Sequence, residues 1–413
     1  MLASSTDRRG PAAKTSADDA LLLRETVLRL LDYCCAREWA GYDPYDALNS
    51  RVFKALPFLN FKIARLAMTQ GVKRSPFNLR PLLLVPKSPN PKGIALFLSS
   101  LVKLSSLGLF EKDALIPFMA DKLLALRSPG TSYFCWGYNF DWQTRNELVP
   151  KGSPNVICST FAANALLDAY ERSGEPSYLA AAASAADFIL EVLFSREAGA
   201  KACFSYTPLG RTEIHNANLL GAALLCRVSR YPAKERFLAP ALDATRYSVG
   251  KQREDGSWAY GESPSQQWVD NFHTGYNLVA LKRISEYAAS DEWRAALAKG
   301  LQFYKAHFLM KDGASRYFHN ATYPIDIHSV AQSIITLVEF KGASGENIAL
   351  AHSVFAWAMD HMWDKRGYFY FQKHRHHTVR TPFMRWSEAW MLFALSHLLE
   401  ALLSPGIITL GGR

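Results

Sequence analysis

Asp270-Asn271-Phe272-His273-Thr274-Gly275-Tyr276-Asn277 leads into an apolar run, Leu278, Val279, Leu281 and Ile284. An acid stands at the start of a helix, a histidine follows three residues later, and the helix is apolar on nearly every face. The same order returns on both sides. Glu213-Ile214-His215-Asn216-Ala217-Asn218 runs into Leu219 to Leu224, and Asp326-Ile327-His328-Ser329-Val330-Ala331-Gln332 runs into Ile334 to Leu337. His215 and His273 lie 58 residues apart, and His273 and His328 lie 55 apart. Weaker copies begin at Thr160, 55 residues before His215, and at Arg385, 57 after His328. A fixed period of this length is the mark of a repeat architecture and decides the fold before any single residue does.

Each repeat divides into two helices. An inner set, apolar all round as helices buried on every side must be, is expected over 95–107, 160–171, 216–228, 272–287, 327–340 and 385–402. A more amphipathic outer set is expected over 112–127, 176–194, 235–251, 291–309 and 347–363. The stretch 17–37 carries acidic residues in its first turn and a leucine stripe, and so supplies a sixth outer helix. Twelve antiparallel helices in two concentric rings make an all-α (α/α)6 toroid, with short strands in the loops at one end. One domain then covers 17–403, between a polar leader, 1–16, and a tail, 404–413. Residues 41–91 are punctuated by Pro57, Pro76, Pro81, Pro86, Pro89 and Pro91 and read as loops and short helices.

The links that enter the inner helices are long and aromatic: 131–158, 203–215, 255–270, 313–326 and 365–384. Strand-like runs occur in them at 204–206, 257–260 and 367–372. The reverse links are short. Long loops gathered at one end of a rigid scaffold are where function concentrates, so the acids and histidines are expected to share a cavity at the N-terminal ends of the inner helices.

Composition narrows the function. The net charge is +10, with no arginine-rich helix or nucleic-acid motif beside it, which speaks against nucleic acid and is compatible with either an acidic ligand or a basic solvated surface. The six cysteines include no CxxC pair and read as free thiols of a reducing compartment. With no signal-like leader and no integral membrane segment in the sequence pattern, a cytoplasmic location is expected.

The shared cavity is expected to hold Asp141, Asp270 and Asp326 as acid and base candidates, with His273 and His328 beside them. Asp43, Trp136, Trp142, His215, Asn218, Trp258, Tyr260, Arg385, Trp386 and Glu388 are expected to bind substrate; Asp46, Glu213 and Trp268 lie in the same loops. Glycosidic cleavage takes two carboxyls flanking the bond, and aromatic faces stack on sugar rings. Structural alternatives stand beside these roles. Asp270 and Asp326 also suit helix N-caps, Asp43 and Asp46 a turn, and the histidines backbone bonding at the ring centre. Glu388 between Trp386 and Trp390 needs a partner such as Arg385. Three histidines from separate repeats lack the local spacing of a zinc site, so no metal and no cofactor is expected. No nucleophile elbow, phosphate loop or HExxH motif occurs.

On these repeat openings, the aromatic loop Trp136–Trp142 and Gly41-Tyr42-Asp43-Pro44-Tyr45-Asp46, the chain resembles bacterial exopolysaccharide-cluster proteins of the VpsJ type. More distantly it is similar to six-hairpin glycosidases and to sugar epimerases of the N-acylglucosamine 2-epimerase kind, over about 40–402. The resemblance implies the toroid, a poly- or oligosaccharide ligand and a place in polysaccharide biosynthesis, with other assembly proteins as possible partners. The expected function is therefore a carbohydrate-active protein, a glycoside hydrolase or sugar epimerase using cavity carboxylates. The alternatives are a non-catalytic glycan-binding or scaffold subunit and a terpenoid-type cyclase. For the last, the DxDD and DDxxD clusters are missing.

Overall fold

The computed structural model describes residues 17–109, 114–144, 147–197, 201–342 and 345–403. The leader and tail expected at 1–16 and 404–413 lie outside them. In chain order the helices are α1 (Ala17–Cys35), α2 (Arg51–Lys54), α3 (Lys62–Arg74), α4 (Pro91–Ser106), α5 (Leu115–Ala125), α6 (Val156–Ser173) and α7 (Pro176–Phe188). There follow α8 (His215–Val228), α9 (Leu238–Val249), α10 (Asn271–Tyr287), α11 (Arg294–Phe308), α12 (Ile327–Glu339), α13 (Glu346–Met362) and α14 (Trp390–Leu403). The inner ring is α4, α6, α8, α10, α12 and α14: each packs on the next, and α14 returns to α4. Outside it α1 lies against α14, α5 against α4, α7 against α6, α9 against α8, α11 against α10 and α13 against α12. This is an (α/α)6 toroid, closed on itself.

Four of the six inner helices, α4, α6, α10 and α12, start where a side chain caps them. Asn90 Oδ1 accepts from the amides of Lys92 and Gly93 at 3.0 and 3.4 Å, Asn155 Oδ1 from Cys158 at 2.8 Å, Asp270 Oδ1 from His273 at 3.0 Å and Asp326 Oδ1 from His328 at 2.8 Å. Such caps satisfy amides that the helix leaves without partners. The first inner helix therefore begins at Pro91, earlier than expected, because proline at the first helical position costs nothing there.

Short antiparallel strands decorate the end where the inner helices begin: β1 (Trp142–Gln143) with β2 (Leu148–Val149), and β3 (Phe194–Glu197) with β4 (Lys201–Phe204). β5 (Ile325–Asp326) pairs with β8 (Gln372–Lys373), which pairs with β9 (Thr378–Val379), while β6 (Trp363–Asp364) pairs with β7 (Tyr368–Phe369). The strand expected at 257–260 does not form. Trp258 is buried there, with its Nε1 donating to the Ser248 carbonyl at 2.9 Å.

Three of these links carry a glycine of the same conformation, Gly256, Gly313 and Gly367, at φ +90°, +91° and +91°. A Cβ there would lie 2.4 Å from the Lys299 carbonyl oxygen on α11, 2.4 Å from that of Ser353 on α13, and 3.0 Å from that of Arg29 on α1. Each turn thus clasps the next outer helix, and the last clasps the first.

In 41–91, expected as loops and short helices, the structure holds a 13-residue helix, α3. It crosses the mouth of the ring, where Arg65 Nε donates to Gln143 Oε1 on β1 at 2.8 Å. The 18-residue stretch Pro176–Leu193 is apolar enough to cross a membrane, yet half of it is buried in the ring as an outer helix with its final turn. The cysteines are free thiols, buried except for the half-buried Cys35.

Candidate functional site

The mouth of the inner ring is an aromatic bowl. Its floor is Phe272, Tyr276, His328, Trp386 and Trp390, all buried. His328 stacks on Phe272 at 4.5 Å and on Trp390 at 4.4 Å, and meets the edge of Trp386 at 4.6 Å. The wall is half-buried: Tyr45, Tyr138, Trp142, Phe161, Tyr206, Tyr260, Trp268, His273 and Tyr317. Tyr260 stacks on Trp268 at 4.5 Å, and Trp142 bridges Tyr138 and Tyr206 at 6.1 and 5.8 Å. Lys73 of α3 leans over the rim, 4.1 Å above the Tyr45 ring and bonded to its own hydroxyl at 2.6 Å.

The titratable groups divide sharply. Asp270 Oδ2 accepts from Trp268 Nε1 at 2.9 Å and meets His273 Nδ1 at 2.7 Å, so the imidazole, with its side chain 21% exposed, is held with Nε2 away from the carboxylate. Asp326 is sealed. Its Oδ1 accepts from Trp386 Nε1 at 2.9 Å and its Oδ2 from Gln372 Nε2 at 2.6 Å. Burial pushes its carboxyl up to about 6 in spite of these donors. His328 Nε2 bonds the Tyr276 hydroxyl at 2.6 Å; burial, and after it the charges of Lys92 and Arg385, hold this imidazole neutral, well below the ordinary histidine value. Asp43 grips Arg385 through both oxygens at 2.6 and 2.8 Å, and Asp46 pairs with Arg80 at 2.6 Å.

Several residues expected in the cavity stand elsewhere. Trp136 is buried, with Nε1 donating to the Leu123 carbonyl at 2.8 Å, and packs the wall from behind. Trp258 does the same on Ser248. Asn218 accepts from the Phe204 amide at 2.9 Å and donates to the Ala244 carbonyl at 2.7 Å, tying α8 to β4 and α9. His215 points outward, between Ser248 Oγ at 3.2 Å and Glu262 at 3.0 Å. Glu213 is paired with Lys201 at 2.5 Å. Glu388 is fully buried, with one oxygen accepting from the Phe369 amide at 3.0 Å and burial raising its carboxyl well above the ordinary value; Arg385, its expected partner, serves Asp43 instead. Asp141 faces a separate groove of about 200 Å³, with Lys54 at 3.7 Å and the Lys151 amide at 2.7 Å. Asp141 stands just before β1 and is held in this groove, while Trp142, the first residue of the strand, enters the bowl.

A cavity of about 570 Å³ lies at the other end of the ring. Its charges meet in ion pairs, Arg227 with Asp168 at 2.7 Å and with Glu171 at 3.0 Å, Arg283 with Glu339, and Lys103 with Glu400 at 2.5 Å.

Tyr276, Trp390, Phe161 and Lys92 were not among the expected site residues. One signal could have found Lys92: it is the second residue of its inner helix, as Phe272 and His328 are of theirs. Among the described residues no cluster of histidine, cysteine and acidic side chains has the makings of a metal site.

No protein-family model matches the chain, and no curated protein matches it in sequence. Among solved structures it is similar to a cellobiose 2-epimerase from Bacillus thermoamylovorans B4167, at 12% identity and a TM-score of 0.59 over 76% of this chain and 87% of that one. It is similar to a GH76 α-mannanase from Bacteroides thetaiotaomicron, at 13% and 0.58 over 75% and 85%. An unsaturated glucuronyl hydrolase specific for heparin gives 12% and 0.61 over 93% and 98%. The fold shared with them is the (α/α)6 toroid. At such identities the likeness speaks for the fold alone.

Proposed function

We propose that the bowl binds a saccharide and that the Asp270–His273 pair moves a proton on it. The observation that carries this is the imidazole on the bowl wall, between Tyr260 at 4.5 Å and Phe272 at 4.3 Å, with Nδ1 on a carboxylate oxygen at 2.7 Å. A carboxylate holding Nδ1 fixes tautomer and orientation and makes Nε2 the more basic, as a general base requires. Stacked aromatic walls suit the apolar faces of sugar rings.

Hydrolysis by paired carboxyls takes two of them facing the bond. Here Asp43 and Asp46 are spent on arginines and Asp326 on Trp386 and Gln372. Proton transfer at a sugar carbon, as in epimerisation, therefore fits better than cleavage between two acids. Solved proteins of this fold include a cellobiose 2-epimerase, an α-mannanase and an unsaturated glucuronyl hydrolase, which supports a saccharide substrate. With the resemblance to exopolysaccharide-cluster proteins, we assign the protein to the making or processing of a bacterial polysaccharide in the cytoplasm. A glycan-binding role without chemistry is the second reading, favoured by α3 lying across the mouth with Lys73 on Tyr45.

Incubation with reducing oligosaccharides in D2O separates the two. Deuterium enters a sugar carbon if His273 exchanges its proton, and Asp270→Asn lowers that rate by about 10²–10⁴-fold with little change in KM. A saccharide that binds without exchange or product decides for the second reading. If no saccharide binds, both fall.

A further inference from the structure

Lys92 is the second residue of α4 and is 3% exposed, yet among the described residues no carboxylate lies within salt-bridge distance of it. α4 stands across the ring from α10, and the lysine spans the gap. Its Nζ lies 4.4 Å from the ring centre of Phe161 on α6, 4.9 Å from that of Trp390 on α14 and 5.3 Å from that of Tyr276 on α10. Three ring faces stabilise an ammonium, but they supply no hydrogen-bond acceptor of its own strength. A buried charge is ordinarily paired or bound to a ligand.

The surroundings deepen the imbalance. Arg385 and, more weakly, Asp43 act on Lys92, and Asp43 is already neutralised by the same arginine. Burial and then Arg385 hold the amine well below the ordinary lysine value. Other groups beside it also lack partners. Trp390 Nε1, Thr160 Oγ1 and His328 Nδ1 are buried without a hydrogen bond. Below the bowl, the three caging rings and Thr160 border a mostly apolar cavity of about 60 Å³. The floor thus leaves at least one donor, Trp390 Nε1, unmatched beside Lys92. Across from it, α10 presents the acid–imidazole pair Asp270 and His273. One side of the bowl calls for negative charge and the other for hydroxyls.

We propose that the saccharide is acidic, and that Lys92 holds the carboxylate of a hexuronate unit at the floor of the bowl. This rests on the reading of the bowl as a saccharide site. It also gives the chain's excess of basic residues, +10 overall, a use in steering an anionic glycan inward. A carboxylate on Nζ supplies the missing counter-charge.

The test titrates the full-length protein with tetrasaccharides of galacturonate and of glucuronate, and with cellotetraose and mannotetraose as neutral counterparts, read by tryptophan fluorescence. An acidic tetrasaccharide binds at least about tenfold more tightly than any neutral one, since only its carboxylate favours the ammonium form that burial disfavours. Lys92→Met abolishes the preference, and Lys92→Arg retains part of it. Equal or tighter binding of the neutral sugars by the wild type overturns the proposal and leaves the saccharide site standing. An acidic preference that survives in Lys92→Met overturns it as well. No binding of either kind removes the saccharide reading and this one together. The wild-type comparison decides even if Lys92→Met does not fold.

Discussion

Glu388 is the residue whose sequence context and final place disagree most. Between two tryptophans on an inner helix it looked like a substrate ligand, but the turn Met384–Ala389 that precedes α14 swings it to the back of the ring, toward Tyr33 and Cys34. A carboxyl whose folded pKa lies above its unfolded one takes up a proton on folding, so its penalty is absent below the ordinary carboxylate range and grows as pH rises. Glu388→Gln keeps the acceptor for the Phe369 amide without the charge. It raises stability by about 1 kcal/mol or more at pH 8, and the gain shrinks toward pH 4; urea denaturation at several pH values reads both. Asp326, raised to about 6, follows the same sign, and Asp326→Asn flattens the stability profile between pH 4 and 6. Legibility in the sequence followed chemistry that is local. The caps Asp270 and Asp326 were readable because a helix start specifies them. The direction of His215, set by Ser248 and Glu262 from distant segments, left no local mark.

The elements were legible where the period repeats and obscured where one residue type carries two meanings. Proline reads as a breaker, so Pro91 hid the first turn of α4 and with it Lys92. Glycine hid a device of the opposite kind. Gly256, Gly313 and Gly367 recur 57 and 54 residues apart, nearly in step with the histidines, and each lets a loop meet the backbone of an outer helix. Only glycine adopts that φ without strain. Gly313→Ala meets the Ser353 carbonyl and destabilises by about 1–3 kcal/mol from backbone strain alone, with a lower thermal midpoint and intact helical circular dichroism below it. Gly130, at φ +73° with open space around it, is the control, and Gly130→Ala costs less.

For the molecule as a whole, the ring made the difference between a list of acids and a bowl. The period and two helix sets sufficed to infer closure, and the structure closes through α14 on α4. What no period conveys is which side of each helix end faces the axis, and so five expected ligands, Trp136, His215, Asn218, Trp258 and Glu388, and the acid candidate Asp141 ended outside the bowl. Closure also predicts how the protein fails. An open solenoid loses stability in steps as terminal repeats are removed, whereas truncation after Val379 takes away α14 and exposes the apolar faces of both α4 and α12. The truncated chain shows no cooperative urea transition and aggregates, as light scattering would record. Lys92 and Trp390 meet at the axis although 298 residues of chain separate them. A ribosome must therefore deliver the chain as far as Trp390 before the pocket exists, and every nascent intermediate displays greasy helices to the cell in the meantime. Synthesis of this protein is a long exposure with a late reward, which makes its yield in vivo sensitive to chaperone supply in a way that its finished stability would not reveal.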